Sequence, residues 1–363
     1  MTIVNSLLFC PSCALTMNFM HQTLGDGNRL FPTGSSVPNS DLKNGQRSSR
    51  CFPQTLFITR YRHPHGTRSK FYFYHKLIEP QKMDKLTTLQ ETAQQIRRDI
   101  VRMVHAVNSG HPGGSLGCTD YFVALFFEVM KHRPKPFDMD GHGQDLFFLS
   151  NGHISPVFYS TLARSGYFDV SELATFRKLN SRLQGHPATH EGLPGVRVAS
   201  GSLGQGLSVA LGAALAKKLN KDEHLIYSLH GDGELQEGQI WEAAMFAAHH
   251  KIDNIISTVD FNGRQIDGDV EDVMSLGNLR AKWESFGWHV MEMEGNDIAA
   301  VISGLREAQT HTGKGKPVVI MMKTEMGQGV DYMMGSHKWH GVAPNDEQLD
   351  KALAQLPETL GDY

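Results

Sequence analysis

The sequence predicts an α/β protein: an open, mostly parallel β-sheet flanked by helices. Three observations carry that expectation. Leu225 to Leu229, Asn254 to Val259 and Pro317 to Met322 are short apolar runs, which reads as strands buried on both faces. Helical stretches, Gly206 to Leu219 and Glu237 to His250, alternate with these runs, the pattern of a parallel sheet with crossover helices. Loops rich in Gly and His follow the regular segments.

The elements follow in chain order. Residues 1–82 show no lasting helical or strand period and are studded with Gly, Pro, Ser and Asn. They form a basic extension of low order: ten Lys or Arg against Asp26, Asp41 and Glu79, a net of +7. Three readings stay open for it: translated leader ahead of a true start at Met83, a disordered extension, or an acid-poor organelle transit peptide. Organised sequence, read as one domain over residues 83–363, begins after Met83. Thr88-Leu-Gln-Glu91 has capping-box spacing, and Leu89, Ala93, Ile96, Ile100, Met103, Val104 and Val107 recur at helical intervals. Asn108-Ser-Gly110 should stop that helix. Gly206 to Leu219 is rich in small residues and suits close packing.

Composition narrows the function classes. The whole chain of 363 residues carries a net charge of −3, which argues against a surface dominated by nucleic acid or acidic membrane. The longest apolar stretch, Tyr121 to Met130, contains Glu128 and falls far short of the roughly 20 residues a membrane span needs. Cys10, Cys13 and Cys51 lie in the basic segment, leaving Cys118 alone in the body, as suits the reducing cytoplasm. Cys10-Pro-Ser-Cys13 has zinc-like spacing, but no second pair of matching spacing follows it.

Chemistry concentrates between Leu225 and Gly268. A strand runs into Gly231-Asp-Gly233, a helix returns, and a second strand ends at Asn262. Strands of a βαβ unit point the same way, so Asp232 and Asn262 should emerge at one carboxyl edge, where α/β sheets bind ligands. Gly231 and Gly233 let backbone approach a diphosphate, and the helix start behind them favours its charge. A carboxylate, an amide oxygen and a nearby main-chain carbonyl are hard oxygen donors suited to Mg²⁺. A lone Gly-Asp-Gly is a common turn; an Asn 30 residues on, across one helix and one strand, is far more specific.

This segment resembles the thiamine-diphosphate motif, and residues 86–345 resemble the amino-terminal half of transketolases, the kind encoded as two subunits above all. The matching motifs lie in order: Ser109-Gly-His-Pro-Gly113, Leu149-Ser-Asn-Gly-His153, Gly185-His-Pro187, Gly201-Ser-Leu-Gly-Gln-Gly206, Gly231-Asp-Gly-Glu-Leu-Gln-Glu-Gly238, Lys323-Thr324 with Gly327 and Gly329, and Gly335-Ser-His-Lys-Trp-His-Gly341. The resemblance implies the diphosphate-binding (PP-type) version of the thiamine-diphosphate-binding fold. It implies thiamine diphosphate with Mg²⁺, or another divalent cation such as Ca²⁺ or Mn²⁺. Asp232 and Asn262 would ligate the cation through side chains and Arg264 through its carbonyl, where family members usually have Ile. His153, Gly201, Leu203, Gly231, Asp232, Gly233, Glu237, Asn262 and His337 would contact the cofactor.

The 19 histidines are mostly surface or structural. His111, His153, His186 and His337 differ, each in a Gly- or Pro-flanked loop of a matched motif. By the resemblance these four line the cofactor and the substrate hydroxyls and serve proton transfer near neutral pH; His340 is a further candidate. The implied reaction moves a two-carbon ketol unit from a ketose, or ketose phosphate, to an aldose acceptor in carbohydrate metabolism. Motifs of the second half of such enzymes have no match here. A separate carboxy-terminal subunit would supply them, in an α2β2 heterotetramer, and nucleic acid and membrane are not expected partners. Rival readings are the α subunit of a 2-oxo-acid dehydrogenase E1 component and a non-catalytic, partner-binding subunit. The E1 component shares Gly-Asp-Gly and Asn but is not expected to share the histidine loops. Deoxyxylulose-phosphate synthase normally continues into its second domain on the same chain, and a dinucleotide-binding domain would need a Gly-x-Gly-x-x-Gly after its first strand.

Overall fold

A computed structural model describes two short strands in the first segment and residues 84–363. The chain divides into two units, Met1–Lys82 and Met83–Tyr363. In the first, Phe57–Arg60 (β1) pairs antiparallel with Phe71–Tyr74 (β2), aromatic and β-branched runs that favour extended backbone. The expectation of low order therefore fails for these two strands. The rest of that segment, the Cys10–Cys13 pair and the start at Met83 lie outside the described residues.

The second unit opens on helix α1, Lys85–Ala106. The capping box predicted at Thr88 is not used: the Thr88 amide already donates to the Asp84 carbonyl, so the helix begins nearly a turn earlier. Leu86 packs against the core and extends the apolar face past the local capping signal. The predicted stop holds, with Asn108 at φ 46° and Gly110 at φ 139°. Helices α2 (Pro112–Gly117) and α3 (Thr119–Ala124) follow, α3 running into a π-helical turn over Leu125–Val129. Next come β3 (Leu146–Leu149), α4 (Ser155–Arg164) and α5 (Gly206–Leu219). The βαβ unit is β4 (Ile226–Gly231), α6 (Gly238–His249) and β5 (Ile255–Phe261). A hairpin of β6 (Arg264–Gln265) and β7 (Gly268–Asp269) leads into α7 (Val270–Met274) and α8 (Leu279–Ser285). The body closes with β8 (His289–Glu294), α9 (Ile298–His311), β9 (Val318–Lys323) and α10 (Asp346–Gln355).

The five strands β3-β4-β5-β9-β8 form one sheet with every pairing parallel. The period-2 alternation of side chains feeds two cores, one on each face. Tyr227, Leu229, Ile256, Val318 and Ile320 join α1, α3, α4 and α9, whereas Ile226, Ile255, Val259 and Val319 join α5, α6 and α8. Two strands are absent from the sequence expectation. β3 is only four residues long, and β8 is an edge strand whose exposed Glu292 and Glu294 interrupt its apolar run. Among the described residues no helix is long and apolar enough to cross a membrane.

Candidate active site

Parallel strands bring their carboxyl ends to one edge, and the loops leaving β3, β4 and β5 meet there around a cavity of about 340 Å³. Its floor comes from the βαβ unit. Asp232, 1% exposed, directly follows β4. Its carboxylate accepts the Gly233 amide at 2.7 Å and the Gly263 amide at 2.5 Å, tying the ends of β4 and β5 together. The Asn262 amide group donates to Asp260 at 2.8 Å, and its oxygen accepts the Arg264 amide at 2.9 Å. Burial, and then the neighbouring Asp260 carboxylate, push Asp232 up to about 7. Burial also raises Asp260, although Thr324, Cys118 and Asn262 bond to it. Two adjacent buried carboxyls beside an amide oxygen are a donor set that a hard divalent cation fits.

Glu234 holds the surrounding loops. It is 2% exposed, and its carboxylate accepts the Ser150 hydroxyl, the Gly204 amide at 2.8 Å and the Gly231 amide at 3.1 Å. Each donor adjoins a cavity residue: Asn151, Leu203 and Asp232. Asn151 is 1% exposed, and neither its amide nitrogen nor its oxygen has a protein partner. A buried amide left open in both senses fits the polar end of a ligand. Gly231 leaves open space there: a Cβ would meet nothing closer than 3.9 Å.

The wall is made of imidazoles. Pro112 starts α2 directly after His111, and His153 lies in a 3₁₀ turn leading into α4. The His111 ring lies 5.2 Å from His153, 6.2 Å from His186 and 5.6 Å from His340; His153 and His340 are 4.9 Å apart. Gly201, at φ 125°, presses on His186, where a Cβ would come within 2.9 Å of the ring. Burial lowers all four rings. For His111, burial and then His340, Arg177 and His186 bring it down to about 4. The wall is therefore neutral at pH 7, able to donate from one ring nitrogen and accept at the other.

Of the residues predicted from sequence, His111, His153, His186, Gly201, Leu203, Gly231, Asp232, Gly233, Glu237, Asn262 and Arg264 all line this cavity. His337 does not. It opens the 3₁₀ turn His337–Trp339, and the next residue, His340, takes the place expected for it. One turn of the loop decides which imidazole faces the cavity, and spacing alone could not reveal its direction. Sequence reasoning also missed Glu234, Asn151 and Asp260. Asn151 and Glu234 lie inside quoted motifs, but nothing in their types marks them as buried.

Known proteins share both the sequence and the fold around this cavity. Residues 88–358 match the family model described as transketolase, thiamine diphosphate binding domain. One of the two apulose-4-phosphate transketolase subunits of Phocaeicola vulgatus is 38% identical over 277 residues, 76% of this chain and 96% of the relative. A 6-deoxy-6-sulfo-D-fructose transketolase subunit of a Clostridium strain is 36% identical, again over 96% of its length. Human transketolase is 34% identical over 78% of this chain, but only 44% of the human protein is covered. The crystal structure of Campylobacter jejuni transketolase superposes with a TM-score of 0.69 at 35% identity, covering 75% of this chain and 43% of that one. The chain thus spans under half of full-length transketolases and nearly all of the split subunits. It belongs to the transketolase family, as a thiamine diphosphate-binding domain.

Proposed function

We propose that this chain is the amino-terminal subunit of a two-subunit transketolase, which moves a two-carbon ketol unit from a ketose to an aldose. The observation that carries the reading is the convergence, around one cavity, of oxygen donors suited to a cation and a wall of neutral imidazoles. Asp232, Asn262 and the Arg264 carbonyl would hold Mg²⁺. Asn151 and the backbone at Gly201, Leu203, Gly231 and Gly233 would hold the diphosphate. Thiamine diphosphate, when bound, supplies the electron sink for cleaving the bond beside a ketose carbonyl. His111, His153, His186 and His340 then bind substrate hydroxyls, and as neutral bases accept or return a proton there. The Asp260 carboxyl steadies Asn262, and Glu234 keeps the loops in register.

The partner supplies the rest of the site. Relatives named as single subunits of a transketolase are matched over almost their whole length, which supports a separate second chain in an α2β2 assembly. Ile266, 61% exposed at the cavity rim, and Phe261, 40% exposed at the end of β5, are apolar surface that a partner would cover. The buried free thiol of Cys118 and the sugar or sugar-phosphate chemistry of the relatives suit a cytoplasmic enzyme. Reconstitution tests the proposal. Alone, the chain should show no ketol transfer, and adding the cognate carboxy-terminal subunit should restore it. Robust transfer by the isolated chain would sink the split-enzyme reading.

A further inference from the structure

The segment from Phe176 to Gly185 contributes no residue to the cavity lining, yet its backbone is constrained. Arg177 and Asn180 both adopt left-handed conformations, at φ 54° and 61°. Such a conformation costs a non-glycine residue roughly 1–2 kcal/mol and persists only where its surroundings impose it. The Arg177 amide closes the loop on the Leu183 carbonyl at 2.9 Å.

The side chain of Arg177 turns toward the histidine wall. Nη1 donates to the Ser109 hydroxyl at 3.0 Å, and Nη2 reaches the Gly185 carbonyl at 3.5 Å. Residue 185 must be glycine for this contact, since a Cβ there would lie 2.7 Å from Cζ of Arg177. Ser109 precedes His111 by two positions, and Gly185 directly precedes His186. One guanidinium therefore spans the two segments that carry two of the four imidazoles.

We infer that Arg177 is a positioning residue that ties these segments together and fixes the spacing of His111 and His186. Its charge acts in the same place. His111 faces His340, Arg177, His186 and His153, and His186 faces Arg177 and His111. After burial, Arg177 is the largest influence that lowers His186, and it lowers His111 as well. One fixed cation thus keeps two bases unprotonated while its hydrogen bonds hold their loops. The catalytic meaning rests on the ketol-transfer reading above; the tether does not.

Two variants, Arg177→Gln and Arg177→Lys, separate tether from charge in the full chain, without partner or cofactor. Hydrogen exchange by mass spectrometry should show residues 108–111 and 184–187 exchanging about tenfold faster in both, as expected for losing a charge-assisted hydrogen bond. Imidazole titration by NMR should show His111 and His186 protonating at higher pH in Arg177→Gln. Arg177→Lys should keep both near their original midpoints, and exposed His250 should not move in either. If Arg177→Gln fails to fold, Arg177→Lys still reports on the tether. Wild-type exchange in both segments would overturn the inference, as would unmoved titrations in Arg177→Gln. Acceleration of every amide alike would also overturn it, because that is general destabilisation. Failure of reconstituted ketol transfer would count against the proposed function and leave these readouts untouched.

Discussion

The floor and the wall of the cavity reach neutrality by opposite routes. At the floor, burial drives carboxyl groups to hold protons, and Asp232 rises to about 7. At the wall, the same burial drives imidazoles to shed them, and His111 falls to about 4. The difference lies in what each surface lacks. Clustered carboxyls become anionic again once a cation joins them, whereas neutral imidazoles need no counter-charge to handle a proton. The floor is built to bind and the wall to exchange.

Substitutions at the floor should give the largest effect. Asp232→Ala should abolish cation-dependent binding of thiamine diphosphate in the assembled enzyme, a loss beyond about 100-fold by calorimetry. Unchanged affinity would show that the floor is not the cation site. Glu234→Ala removes a buried acceptor from three donors and should cost about 3 kcal/mol in denaturant unfolding. A cost below about 1 kcal/mol would mean that the loops hold without it.

The wall is probed by a pair. His340→Ala should lower turnover of the reconstituted enzyme about 100-fold, and His337→Ala by less than about tenfold. The reverse order would return the role to His337. The smallest effect is on stability against pH. His111 has a folded value of about 4 against 6.5 unfolded. As pH falls below 6.5 the unfolded chain takes up the proton first, so folded stability is lost down to pH 4. Between pH 6.5 and 5 this amounts to about 1.5 kcal/mol. His153 is lowered too and acts in the same direction. His111→Asn should flatten that part of the stability profile, and an unchanged slope would mean the ring is not buried neutral.

The two regions also differed in how openly the sequence declared them. The floor is one βαβ unit, so Asp232 and Asn262 could be placed together from spacing and the handedness of crossovers alone. The wall draws His111, His153, His186 and His340 from four distant loops. Gly and Pro neighbours marked the loops, but only tertiary packing chooses between His337 and His340. Arg177 and Glu234 looked like ordinary surface charges, because burial of a charged side chain is decided by partners far along the chain. Strand β8 stayed hidden for a related reason: an edge strand can expose alternate residues, which dilutes its apolar signal.

Glu234 has one further consequence. A single carboxylate bonded to Ser150, Gly204 and Gly231 makes three separate stretches of chain share one latch. None can lift away without leaving a buried charge short of donors. Their opening is therefore one cooperative event, and the entrance to the diphosphate site should breathe as a unit.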